Sequence, residues 1–266
     1  MSTTTTAPGG PTGAAAAARR HTGPSLATLA GVELRKTVDT RAGRWLLVVT
    51  GLLVVAAVAV MLFAAEPQEL TFEDFASIAQ LPLALLLPVI GILGVTSEWS
   101  QRTALTTFAL VPRRLRVVGA KVLAAVALAV LAWAFSLLAA AVGNALAPAV
   151  DGDGSWDVGS GLLWRVLLLQ VVNVLVGVGF GLLLQNSAVA IVSFFLIPTL
   201  VTVVASLVGP FEDIAPWVDF NQASTPIAAT GEPSGEQWAQ FGTASLLWAG
   251  ATLVLGALRV QRREVS

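Results

Sequence analysis

Residues 45–65 read WLLVVTGLLVVAAVAVMLFAA, from Trp45 to Ala65, without one charged side chain. A helix rises ~1.5 Å per residue, so a run of this length covers a hydrocarbon core of ~30 Å. Five further runs pass the same test, at about 76–96, 122–142, 162–184, 188–208 and 239–258. The only charge within them is Arg165, one turn from the start of the fourth run, where a long side chain is expected to snorkel to the headgroups. Lipid offers no partner to backbone N–H and C=O groups, and the runs are too long for barrel strands, so each is expected to be a helix. The expectation is an all-α integral membrane protein with six transmembrane helices. Composition agrees: 56% of residues are hydrophobic, 12% are charged, and the mean hydropathy is +0.80.

Lys and Arg flanking a span are retained on the cytoplasmic side, which orients the bundle. With the N-terminus inside and six crossings, every one of the 15 Lys and Arg residues except Arg165 falls on the cytoplasmic side. Glu33, Asp39, Glu98 and Glu264 join them, while the other acids fall outside. Both termini are therefore expected in the cytoplasm. Residues 1–24, rich in Thr, Ala, Gly and Pro, read as a disordered tail, and 25–266 as one six-helix membrane domain. Arg19-Arg20 does not read as an export signal, because no apolar segment follows before Trp45.

Several chemistries are excluded by residue type. There is no cysteine, and the single histidine, His21, lies in the tail, so neither a Ser-His dyad within the bundle nor a histidine-ligated metal site can form. No catalytic residue and no metal site is expected. No Asp or Glu lies within a span, which argues against carboxylate-based ion coupling. No Gly-x-x-x-x-Gly-Lys-Ser/Thr loop occurs, so energised work would need another chain.

Ahead of the first span, Leu26, Leu29 or Ala30, Leu34 and Val38 recur at helical spacing, with Arg35, Lys36 and Asp39 off that stripe. Ser25 is the expected N-cap of a basic interfacial helix over 25–44, ending at Gly43. Gln170 and Asn173 share one face of the fourth span, as lining for a substrate path or as hydrogen-bonding glue between helices. Gly177-Val-Gly-Phe-Gly181 permits close helix approach within the chain or across a dimer. Pro82, Pro88 and Pro198 are expected to kink their helices. Residues 209–237 carry apolar side chains among acids, and either dip back among the helices or lie on the surface.

Between the second and third spans, Ala104, Leu105, Phe108 and Ala109 form an apolar stripe with Thr103, Thr106 and Thr107 opposite, and Pro112 closes the helix. Arg113, Arg114, Arg116 and Lys121 follow, gripping either anionic headgroups or a partner. Glu33-x-x-Lys36 with Arg41 or Arg44 and Trp45, then Glu98, Arg102-Thr103, Leu110, Pro112, Arg113-Arg114 and Lys121, resembles the permease subunits of type 2 ABC transporters. That family has Gly where Arg102 stands and a small residue near Arg113. The resemblance covers about 25–263. It implies that Glu33, Lys36, Arg41 and Arg44 belong to an elbow helix. It further implies that Glu98, Arg102, Thr103, Leu105, Phe108, Pro112, Arg113 and Arg114 form a coupling element touching an ATPase, and that 209–237 is a re-entrant segment.

By the same resemblance, ATP and Mg would be bound by a separate ATP-binding cassette subunit and none by this chain. A second permease copy or paralogue would complete a dimer in a bacterial plasma membrane, with no nucleic acid involved. The competing class is a non-transporting membrane scaffold that recruits a cytoplasmic partner. A secondary transporter comes third, for want of a carboxylate at mid-membrane.

Overall fold

The computed structural model describes residues 24–100, 114–211 and 213–262. The described residues are mostly helical, with no strand among them, and six of the described helices are long and apolar enough to cross a membrane. The expected coupling helix at 103–110, with Arg102, Thr103, Leu105, Phe108, Pro112 and Arg113, lies outside the described residues, as does the tail to residue 23.

The first helix, α1 (Leu26–Asp39), begins as expected, with the Ser25 side chain accepting from the Thr28 N–H. It ends four residues early. Thr40 leaves the helix in an extended conformation and caps a new one, its hydroxyl accepting from the Gly43 N–H at 3.2 Å. Arg41 and Arg44 therefore stand in the first turn of α2 (Arg41–Ala64) rather than on the interfacial helix, and both are exposed. The expected apolar stripe of α1 is also only partly inward. Ala30 is buried, whereas Leu26 and Val38 are exposed, because α1 packs chiefly against α4 with α2 and α3 beside it.

The remaining spans are α3 (Phe72–Ser100), α4 (Arg114–Leu146), α5 (Leu162–Leu184), α6 (Ser187–Leu207) and a final span of α9 (Gly235–Ser245) and α10 (Thr252–Arg262) joined by a π-helical stretch, Leu246–Ala251. Half of the apolar window of α3 and of α5 is buried, against 22% for α2 and 17% for α6. So α3 and α5 form the centre, and α2 and α6 face outward.

Two apolar cores meet on α5. Val174, Val178 and Leu182 pack into one with α2, α3 and α4, while Val172, Val176 and Phe180 pack into the other with α6 and the last span. The glycines set these distances. A Cβ at Gly177 would lie 2.7 Å from the Pro88 carbonyl oxygen, and one at Gly181 3.3 Å from Ile92 Cα, so both let α5 close on the α3 backbone. On the opposite side, a Cβ on Gly256 would lie 2.5 Å from Leu182 Cβ. The glycine motif thus serves contacts within this chain.

α3 runs through Pro82 and Pro88, and α6 through Pro198. Pro88 has no N–H to offer the carbonyl four residues back, Ala84. That carbonyl accepts instead from Asn173 Nδ2 at 2.8 Å, and the neighbouring Leu83 carbonyl accepts from Gln170 Nε2 at 3.2 Å. Both amides of α5 therefore bind the α3 backbone.

The segment after α6 turns back into the bundle. Two short helices, α7 (Ala215–Val218) and α8 (Phe220–Ala228), form a hairpin with Asp219 at its turn. Trp248 Nε1 donates to the Val218 carbonyl at 2.7 Å, and Asn221 Nδ2 donates to Thr202 Oγ1 at 3.2 Å. Phe220 and Asn221 line a cavity of about 220 Å³ together with Ala84, Asn173 and Trp248, which lie near the midpoints of three spans. Ala223 and Ile227 complete the second core. The hairpin therefore reaches half the depth of the bundle, and of the two readings of 209–237 the structure takes the re-entrant one.

Candidate functional site

The basic residues gather at one end of the bundle. Arg116 Nη2 donates to the Pro24 carbonyl at 2.8 Å, and Arg114 Nη1 to the Val260 carbonyl at 3.0 Å, so the first and last described segments meet at the start of α4. Arg259 Nη1 donates to the Leu183 carbonyl at 2.6 Å. Each arginine that reaches a helix C-terminus satisfies carbonyls that lack an intrahelical donor.

Beneath these caps lies a closed cluster of four charges. Lys36 Nζ, on α1, donates to Glu33 Oε1 at 2.6 Å and to Glu98 Oε1 at 2.8 Å. Lys121 Nζ, on α4, donates to Glu33 Oε2 at 2.6 Å, lies 3.2 Å from Glu98 Oε1, and donates to the Gly94 carbonyl at 3.1 Å. Two acids and two bases alternate, so the cluster is neutral, and Lys121 and Glu98 are buried. Burial pushes the Lys36 pKa down, but hydrogen bonds and charge from Glu33 and Glu98 outweigh it and hold the ammonium above its ordinary 10.5.

The geometry gives this cluster a mechanical meaning. Glu98 closes α3 just before residues 101–113, and Lys121 lies two turns into α4 just after them. Glu98 is fastened to Lys36 of α1, and Lys121 to Glu33 of α1. The helix ends that flank the intervening segment are thereby tied to each other and to α1. Of the expected site residues, Glu33, Lys36 and Glu98 converge here, Arg114 caps the last span nearby, and Arg41 and Arg44 stand apart, Arg44 donating to the Asp39 carbonyl at 3.3 Å.

Two buried charges break expectation at the other half of the molecule. Arg165 does not snorkel: it is 2% exposed, covered where the loop before α5 meets the segment before α9, with Ser160 Oγ donating to Glu232 Oε1 at 2.8 Å. Asp219, expected in an outer loop, is 0% exposed at the hairpin turn. Its Oδ1 accepts from the Asn221 N–H at 2.9 Å, capping α8, and its Oδ2 has no hydrogen-bond partner. The premise that no carboxylate reaches mid-bundle therefore fails. No span contains one, but the hairpin inserts one. The sequence signal was Asp219 itself, a good helix N-cap between apolar Val218 and Phe220.

No protein-family model matches the chain, and no curated protein matches it in sequence. Among the described residues, six helices have the length and apolarity of membrane spans, which makes this a multi-pass membrane protein.

Proposed function

We propose that this chain is the membrane-spanning permease subunit of an ATP-binding cassette transporter, working with a second permease and with separate ATPase subunits. The observation that carries the reading is the four-charge cluster joining α1 to both flanks of residues 101–113. A force applied to that segment by a cytoplasmic partner would pass into α3 and α4, and through α3 into α5. Such a joint serves alternating access, in which closure of an ATPase pair shifts which face of the permease pair is open. The basic end is then cytoplasmic, in keeping with retention of Lys and Arg on that side.

The hairpin supports transport over passive anchoring. Asn221, Gln222 and Thr225 lie on the exposed face of α8 at membrane depth, and hydrocarbon solvates none of them. Asn221 donates to Thr202 and Thr225 to the Asn221 carbonyl, and a neighbouring subunit or a water-filled path would meet Gln222 and the remaining polar atoms. An apolar groove of about 960 Å³ between α2 and α3, with Glu69 and Asp74 at one end, suits an amphiphilic cargo.

A second reading has an observation of its own. Asp219 at half depth is the feature a cation-coupled carrier needs, so ion-driven transport is the alternative. Purification from native membranes in mild detergent separates the two. An ATP-binding subunit that co-purifies, and ATP-dependent transport in vesicles, support the permease. Transport that follows an imposed ion gradient, with no such subunit, supports the carrier, and recruitment of a cytoplasmic partner with no transport supports a scaffold. Because the chain has no cysteine, a single Thr107→Cys substitution reports topology without background. Labelling only from outside the cell would overturn the orientation.

A further inference from the structure

The groove of about 960 Å³ between α2 and α3 owes its room to small side chains. On α2 its wall is Ala56, Ala57, Val60 and Ala64, at helical spacing, while Val54, Val58 and Leu62 turn the other way into the core. The alanines leave open the space that larger side chains would fill. From Leu53 to Ala64 the wall is about 17 Å long at the ~1.5 Å rise of a helix, close to half of a ~30 Å hydrocarbon core. One alkyl chain of one leaflet fits that length.

The polar groups of the groove lie toward one end, and all of them accept. Glu69 is exposed and Asp74 half-buried, both on the groove wall, and neither forms an ion pair among the described residues. Ser77, exposed one turn below Asp74, makes no hydrogen bond among the described residues. Pro82, further along the wall, has no N–H to offer the Ile78 carbonyl. The carbonyl freed by Pro88 finds Asn173, whereas no side chain among the described residues donates to that of Ile78. The basic residues lie at the opposite end of the bundle, apart from Arg165, which is buried and takes no part in the groove. A carboxylate can only accept, so these acids leave a negative field over an apolar slot. An anionic head is repelled there, and a neutral one leaves the charge unmatched. An ammonium matches the acids in sign and brings N–H donors to the hydroxyl and carbonyl beneath them.

We infer that this groove binds a cationic amphiphile, a protonated single-chain alkylamine, with its ammonium at Glu69 and Asp74 and its chain along the alanines. The inference rests on the transport reading only in treating that ligand as cargo. Binding is a property of this chain alone.

The test uses the full-length protein in phosphatidylcholine nanodiscs and a photoreactive alkylamine with a diazirine in its chain. Cross-links mapped by mass spectrometry should concentrate on the groove, at Val60 and Leu81, rather than on the lipid-facing side of α6. Dodecylamine should displace the probe at about one tenth of the concentration needed for dodecanol, the weight of two modest charge contacts, and dodecanoate should be weaker still. Glu69→Gln with Asp74→Asn should erase that tenfold advantage, and Ala57→Phe should fill the slot and abolish groove labelling. Labelling spread evenly over α2, α3 and α6, or equal displacement by dodecylamine and dodecanol, overturns the proposal, because the groove then takes any membrane chain. An advantage that survives in the double variant overturns it too, and decides the matter should Ala57→Phe fail to fold. Transport is measured separately: an ATP-driven transporter without amine preference overturns this inference alone, and amine binding without ATP dependence overturns the permease alone.

Discussion

Charge is buried in two ways in this molecule. At the basic end, Glu33, Lys36, Glu98 and Lys121 neutralise one another within about 3 Å. In the other half, Arg165 and Asp219 are buried singly, each with a polar atom that finds no partner. The first arrangement is complete, and so fastens helices together. The second is incomplete, and so ties no helices together. Burial alone does not make a joint, whereas the presence of partners does.

The largest effect should come from breaking the complete set. Lys121→Met leaves two acids sharing Lys36 and should cost about 3 kcal/mol, at the low end for a broken buried pair, in thermal or denaturant unfolding in detergent. Glu33→Gln combined with Lys121→Met should cost less than the sum of the two singles. Strict additivity would show that the cluster is not one unit. Next, Asn173→Leu strips the Ala84 carbonyl of its donor and should cost about 1 kcal/mol, an upper-range value for a hydrogen bond between membrane helices.

Arg165→Met sharpens the contrast by sign. In delipidated protein it should be neutral or slightly stabilising, because it removes a charge that has no partner, while Lys121→Met is strongly destabilising under the same conditions. Equal losses would mean that Arg165 is paired after all. The smallest effect concerns pH. The folded Lys36 pKa lies above its ordinary 10.5, so its stabilisation is complete below that value and fades as pH rises through the folded pKa. The difference in melting temperature between wild type and Lys36→Met should therefore stay constant to about pH 10 and shrink only above it. A difference that disappears near neutral pH would contradict the assigned cluster.

How much of this was legible in the sequence follows from range. The spans were legible because hydrocarbon imposes one rule on every residue within them: the run read at 162–184 coincides with α5, that at 188–208 is shifted by one residue from α6, that at 45–65 begins four residues late and ends one late against α2, and the helices of the other three extend four to eight residues past their apolar limits. The end of α1 was misplaced because the apolar stripe hid a local signal, Thr40 three residues before Gly43. Pro88 offered a further clue, since the carbonyl it frees at Ala84 needed a donor, and Asn173 was a candidate.

The long-range features were not legible. Glu33, Lys36, Glu98 and Lys121 each stood out by resemblance, but contacts spanning 62 and 88 residues cannot be read from local pattern. The hairpin escaped a firm reading for the same reason. α7 and α8 are short and mixed in polarity, and what holds them at depth lies on other helices: hydrogen bonds to Trp248 and Thr202, and the second core that takes in Ala223 and Ile227. Arg165 was assigned to the headgroups by a rule about side-chain length, and the loop packed over it was beyond that rule.

The central claim is that the basic end transmits work from an ATP-hydrolysing partner into the bundle. It is tested most directly by reversing Arg113 and Arg114 to Glu in the complex isolated from native membranes and measuring cargo moved per ATP hydrolysed in vesicles. The account predicts an assembled complex that still hydrolyses ATP while transport falls away. Transport per ATP equal to wild type, or transport that never required ATP, would contradict it.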